Sequence, residues 1–222
     1  MSEIKVVTNI LKANDELNAV NRKRLDEKAI YVINLMSSPG SGKTSILEKM
    51  ISRLKDDIKI AVIEGDLYTT IDAQRIEAQG VPVVQINTGG ACHLDAYMIK
   101  DAIDGIDLDG IELLIVENVG NLVCPAEFEI GEDIKITVLS TTEGNDKPLK
   151  YPLAFEKSKA VILNKIDLIE HTNFDKQKFY DDVRSINDKA VFFETSCTKD
   201  LGLDGLCEWI ENKVKEKQSS KI

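Results

Sequence analysis

Residues Ser37 to Thr44 read Ser-Ser-Pro-Gly-Ser-Gly-Lys-Thr and follow the apolar run Ile30 to Met36. A strand that empties into such a loop can turn its amide hydrogens around a phosphate. Gly40 and Gly42 let the backbone come close, Lys43 adds positive charge near the β and γ oxygens, and Thr44 offers a hydroxyl to magnesium. Pro39, Ser41 and Ser45 complete the expected contact set. The consensus loop begins with glycine where this chain has Ser37, so closure requires Ser37 to leave the strand with ordinary dihedrals. Two acidic strand ends suit the accompanying magnesium and water chemistry: Lys59 to Glu64 leads to Gly65-Asp66, and Ile111 to Val116 leads to Glu117-Asn118-Val119-Gly120. Asp66 and Glu117 are expected to hold magnesium or its water, and the Gly120 amide to sense a γ-phosphate. Asp72 is read either as a further magnesium contact on a mobile segment or as a first-turn helix acid. Arg75 is expected in a surface ion pair.

The base follows from Asn164-Lys165-Ile166-Asp167, placed directly after the apolar run Ala160 to Leu163. An aspartate carboxylate accepts hydrogen bonds from both N1 and N2 of guanine, a donor pair that adenine lacks, so GTP and GDP are expected rather than ATP. Thr195-Ser196-Cys197 leaves the next apolar run and resembles the last base-contacting loop of G proteins, which brings Ser196 and Cys197 into the expected site.

A second chemistry is suggested by Cys92-His93, which joins a cysteine to one of the chain's two histidines, and by Cys124, four residues beyond Gly120. These residues follow strands that should end on the same sheet edge, and a Cys, His, Cys set suits zinc or nickel rather than magnesium. Neighbouring positions on a helix point about 100° apart, so Cys92 and His93 at a helix start would need a third ligand from elsewhere. Three ligands leave a tetrahedral site incomplete, to be finished by water or by a second copy of the chain. The alternative reading makes the cysteines small buried hydrophobes and His93 a capping residue. Cys207 sits on an apolar helical stripe, and His171 in a polar stretch.

The elements that must carry these groups are β-rich runs alternating with amphipathic ones. Strands are expected at 30–36, 58–63, 81–86, 111–117, 134–140, 160–164 and 190–194, most of them continuously apolar, as in a parallel sheet buried on both faces. Covering helices are expected at 42–54, 70–78, 94–102, 175–186 and 203–215. The fold class is therefore α/β, a doubly wound and mostly parallel sheet, with ligands beyond the carboxyl ends of the strands. Residues 1–28 read as a helical extension that packs on the sheet or on a partner, 29–216 as the nucleotide domain with the metal site, and 217–222 as a flexible tail. The chain has 222 residues and a net charge of −10, which argues against a nucleic-acid partner. No apolar run approaches the roughly 20 residues of a membrane span, and no secretory signal opens the chain, so a cytoplasmic location is expected.

Taken in order, the Ser37–Thr44 loop, Gly65-Asp66-Leu67-Tyr68-Thr69-Thr70-Ile71-Asp72-Ala73, Ala91-Cys92-His93-Leu94-Asp95-Ala96, Glu117 to Pro125 and Asn164 to Asp167 closely resemble the HypB family of hydrogenase nickel-incorporation GTPases. The resemblance spans about residues 25 to 215. It implies a SIMIBI-class P-loop G domain that dimerises with nucleotide and helps load nickel into [NiFe] hydrogenase; because no residue is obviously placed as an arginine finger, magnesium-dependent GTP hydrolysis is expected to be slow. It also implies metal binding by Cys92, His93 and Cys124, with hydrogenase maturation proteins and the large-subunit precursor as partners. Some members carry a Cys-rich or His-rich N-terminal nickel motif. Residues 1–30 here contain neither Cys nor His, so tight nickel storage by that segment is not expected. Urease accessory GTPases resemble the chain less, their metal motif being Cys-Pro-His. A guanine-nucleotide switch with structural zinc remains the reading from a different class.

Overall fold

The structure, a computed structural model, describes residues 2–220, with side chains from residue 11 onward. Seven strands form one sheet in the order β3-β2-β4-β1-β5-β6-β7, with every neighbouring pair parallel. They are β1 (Tyr31–Ser37), β2 (Ile60–Asp66), β3 (Val83–Asn87), β4 (Leu113–Gly120), β5 (Ile134–Ser140), β6 (Ser158–Asn164) and β7 (Val191–Thr195). The doubly wound α/β expectation holds, and its cause is visible in the burial: every residue of β1 is buried, as a strand covered on both faces must be.

Helices α2 (Lys43–Leu54), α3 (Ile71–Glu77) and α9 (Leu203–Ser219) cover one face, around Ile33, Leu35, Met50, Val62 and Ile210. The other face carries two separate apolar clusters. One lies under α1 (Ser2–Glu27) and α4 (Ala96–Asp104), the other under α5 (Cys124–Glu127), α7 (Pro152–Lys157) and α8 (Lys176–Ile186). The N-terminal helix packs on its own domain: Leu25 is fully buried, and the buried side chain of Asn21 bonds the carbonyls of Ala96 and Ile130.

Three expectations shift. The helix expected from Leu94 begins at Ala96, because the Asp95 carboxylate accepts the Met98 amide and caps it there. The short α6 (Lys147–Lys150) and α7 went unforeseen between β5 and β6, since four and six residues carry too little periodicity. Finally, α9 runs through the boundary expected at residue 217. Lys217 there pairs with Asp26 and Asp133, and Gln218 donates to the Ala29 carbonyl. Residues 221 and 222 lie outside the described residues. Among those described, no helix is long and apolar enough to cross a membrane.

Candidate functional site

All the predicted groups gather at the carboxyl edge of the sheet. Gly42, in the left-handed region at φ 96°, turns the chain from the loop after β1 into α2, whose free amides then face the loop. A Cβ on Gly42 would stand 2.5 Å from Asn164 Nδ2, so the turn has no room for a side chain. Ser37 does not share that conformation. It stays in β1 opposite Gly120, outside the positive-φ residues, and its hydroxyl accepts a 2.9 Å hydrogen bond from Lys43 Nζ. The loop therefore closes without the consensus glycine. Burial pushes the Lys43 ammonium below its ordinary pKa, against the pull of Glu117, Asp72, Glu64 and Glu143.

A cleft of about 510 Å³ is lined by Pro39 to Ser45, Asp66, Asp72, Arg75, Glu117 to Gly120 and Lys165. Thr44 Oγ1 donates to Glu117 Oε1 at 2.7 Å. Gly120 passes close beneath the loop, where an added Cβ would meet Pro39 Cα at 3.1 Å. Sequence reasoning missed Glu64, which lines the same cleft and pairs in register with Glu117 across β2 and β4. Its signal was a glutamate inside an otherwise apolar strand. Burial, then the charges of Glu117, Asp66 and Asp72, push Glu64 up to about 8. Burial likewise raises Glu117. Glu64 Oε2, Glu117 Oε2 and Ser41 Oγ are buried without a hydrogen-bond partner. Orphaned hard oxygens beside a threonine hydroxyl fit a divalent cation with its waters, and the open loop fits the phosphates.

Asp66 and Asp72 line the same cleft and also serve local contacts. Burial opposes the Asp66 charge, but hydrogen bonds from the amides of Tyr68 and Thr69 and from the Thr69 hydroxyl outweigh it and hold the carboxyl low. Asp72 sits in the first turn of α3 and pairs with Arg75 at 2.9 Å. Arg75 also pairs with Glu48 at 2.6 Å and donates to Ser45 Oγ at 3.1 Å.

At the base end, Asn164 is an organiser. Its Nδ2 donates to the Ser41 carbonyl at 2.9 Å, and its Oδ1 accepts from Thr195 Oγ1 at 3.0 Å. Lys165, at φ 58°, donates to the Gly40 carbonyl at 2.7 Å. Asp167 is half-buried in the 3₁₀ turn Ile166–His171 that follows. The Ser196 hydroxyl accepts the Lys199 amide at 3.1 Å, and Cys197 is half-buried.

Cys92, His93 and Cys124 come together, with one potential ligand atom from each lying within 4.8 Å of the others. The two sulfurs are 3.0 Å apart, and Cys92 Sγ lies 3.7 Å from His93 Nδ1. Cys92 and His93 precede the Asp95 cap and belong to an irregular loop rather than to a helix, which frees neighbouring side chains to converge. Asn121 Nδ2 ties the Cys92 carbonyl to the end of β4 at 3.1 Å. Burial holds the His93 imidazolium below its usual pKa, favouring the neutral ring that ligates metals. Its ring lies 4.0 Å from that of Phe128. Cys207 is buried in the core and His171 is exposed, both away from this cluster.

The family model described as CobW/HypB/UreG, nucleotide-binding domain, matches residues 31–194. Hydrogenase maturation factor HypB of Escherichia coli K12 is 47% identical over 210 residues, covering 95% of this chain and 72% of that protein. The probable hydrogenase maturation factor HypB of Methanocaldococcus jannaschii is 43% identical, over 95% of this chain and 96% of its own length. The crystal structure of HypB from Helicobacter pylori in complex with nickel superposes with a TM-score of 0.87 at 41% identity, covering 92% of this chain and 96% of that one.

Proposed function

The chain belongs to the HypB group of the CobW/HypB/UreG family, and from that premise we propose that it is a GTP-hydrolysing metallochaperone of [NiFe] hydrogenase maturation. It carries nickel as its cargo at Cys92, His93 and Cys124, a site that also accepts zinc, because this ligand set does not select between the two. It works in the cytoplasm as a nucleotide-dependent homodimer, together with other maturation proteins and the hydrogenase large-subunit precursor.

The observation that supports this reading best is continuity. Strand β4 carries Glu117 against Thr44 and Gly120 against Pro39, and four residues later the chain delivers Cys124 to Cys92. A γ-phosphate that draws the Gly120 amide inward would shift the segment bearing a metal ligand.

In the nucleotide site, magnesium when bound neutralises charge on the β and γ oxygens, with Thr44, Glu117 and Glu64 as the residues to hold it or its waters. Lys43 contributes the fixed positive charge of the loop and the α2 amides contribute donors. Asp167 accepts from the guanine edge. Arg75 is the arginine lining the cleft, and its guanidinium is committed to Glu48 and Asp72. Intrinsic turnover is therefore slow, and a second copy or a partner supplies the missing charge.

The test is nickel release. Protein loaded with nickel and mixed with a chromophoric chelator should lose metal faster with GTP and magnesium than with a non-hydrolysable GTP analogue. Equal release in both would reject hydrolysis-gated delivery.

A further inference from the structure

Three adjacent strands, β4, β1 and β5, place Asn118, Asn34 and Lys135 on one face of the sheet, and all three are at most 5% exposed. Their strand neighbours two positions away include Val32 and Val116 in one apolar cluster and Met36 in the other, so this polar seam lies between the two. The seam is continuous. Lys135 Nζ pairs with Glu132 Oε1 at 3.1 Å, and that oxygen also accepts Asn34 Nδ2 at 3.2 Å. Asn34 Oδ1 accepts Asn118 Nδ2 at 3.1 Å, and Asn118 Oδ1 accepts the Leu94 amide at 3.1 Å. One end of the seam thus grips the residue next to His93.

The other end grips the turn that opens with Cys124. A helix as short as α5 leaves carbonyls without helical donors, and Lys135 Nζ donates to those of Pro125 at 3.0 Å and Phe128 at 2.8 Å, with Ala126 at 3.4 Å. Phe128 is the residue whose ring backs His93. We propose that this seam sets the geometry of the metal site, with Lys135 as a positioning residue for both Cys124 and His93. The proposal rests on the reading of Cys92, His93 and Cys124 as metal ligands.

Two features carry it beyond ordinary core packing. Replacing a buried ion pair with apolar groups is often neutral or stabilising, so core stability alone gives no reason for a lysine at this strand position. The same two segments are also bridged from the opposite side by α1: Asn14 accepts the Ala96 amide at 2.9 Å and donates to the Glu129 carbonyl at 2.8 Å. Ligand-bearing loops braced from below and above are held near a fixed separation before any metal arrives, as outer partners do for metal ligands generally.

The experiment uses Lys135→Met combined with Glu132→Gln, so that no buried charge is left alone. Nickel(II) is titrated into the full chain while thiolate-to-nickel charge-transfer absorption is recorded, with thermal unfolding and GDP affinity measured alongside. The apparent nickel Kd should rise by about 10- to 100-fold. Absorption per nickel should fall toward that of Cys124→Ala, with GDP affinity held within about twofold. A folded double variant with wild-type nickel affinity and absorption overturns the proposal. Should that variant fail to fold, Asn34→Ala opens the seam at its middle without touching a charge and predicts the same changes on a smaller scale. An unchanged nickel titration there is equally contrary. If the wild-type protein and Cys92→Ala bind nickel alike without thiolate absorption, the metal reading itself fails and the proposal falls with it.

Discussion

Two single residues carry sharp expectations, Asp167 for the choice of base and Glu64 for the response of the fold to pH. Asp167 lies two residues beyond a left-handed Lys165 whose ammonium reaches the phosphate loop, and in the proposed reading its carboxylate meets two guanine donors. Asp167→Asn replaces one acceptor with a donor, so GDP affinity should fall by roughly 10- to 100-fold while xanthosine diphosphate binding improves. A competition assay with both nucleotides reads this directly, and an unchanged base preference would remove Asp167 from the site. Glu64 makes a different prediction. Its folded pKa of about 8 stands above its unfolded value, so the native state holds the proton more tightly. Stability is then fullest below the unfolded pKa near 4.5 and declines as pH rises toward about 8, by at most about 1.4 kcal/mol per pH unit. Denaturant melts of nucleotide-free, chelator-treated protein should show that decline, and Glu64→Gln should flatten it. Glu64 was legible only as an acid in an apolar strand. Its meaning came from the register that sets it beside Glu117, a pairing between strands that no local pattern reveals. Asp66 shows the converse: its position was legible, but its role in the turn at Leu67–Thr69 depended on backbone geometry.

At the level of elements, continuous apolar runs made the seven strands legible, because burial on both faces writes itself into composition. Boundaries were less so. Asp95 ends the loop and starts α4, and that single cap leaves Cys92 and His93 in the loop ahead of the helix start at which they were expected. The helix α1 could have served its own domain or a partner. The answer rests on tertiary contacts, Leu25 buried against the sheet and Asn14 and Asn21 bridging both ligand-bearing segments. Leu25→Ala should therefore destabilise the whole domain by about 2–5 kcal/mol in a chemical melt. A loss under about 0.5 kcal/mol would mean that α1 is dispensable to the fold.

For the whole molecule, one sheet edge collects two chemistries that share strand β4. Glu117 and Gly120 face the phosphate loop, while Asn121 and Cys124, further along the same segment, hold and complete the Cys92, His93 and Cys124 cluster. Most members of both clusters stood out as motifs, Glu64 excepted, and the short stretch from Gly120 to Cys124 was plain in the sequence; what the stretch lies against became visible only with the sheet order that sets β4 between β2 and β1. Coupling between nucleotide and metal is read most directly by an equilibrium titration of nickel into wild type and Cys92→Ala, with GDP or a non-hydrolysable GTP analogue bound and the mass recorded at each point. Nickel affinity should differ between the two nucleotide states in the wild type and be lost in the variant. Equal affinity in both states at fixed oligomeric state would contradict that coupling, leaving a guanine-nucleotide switch whose metal site takes no instruction from the nucleotide.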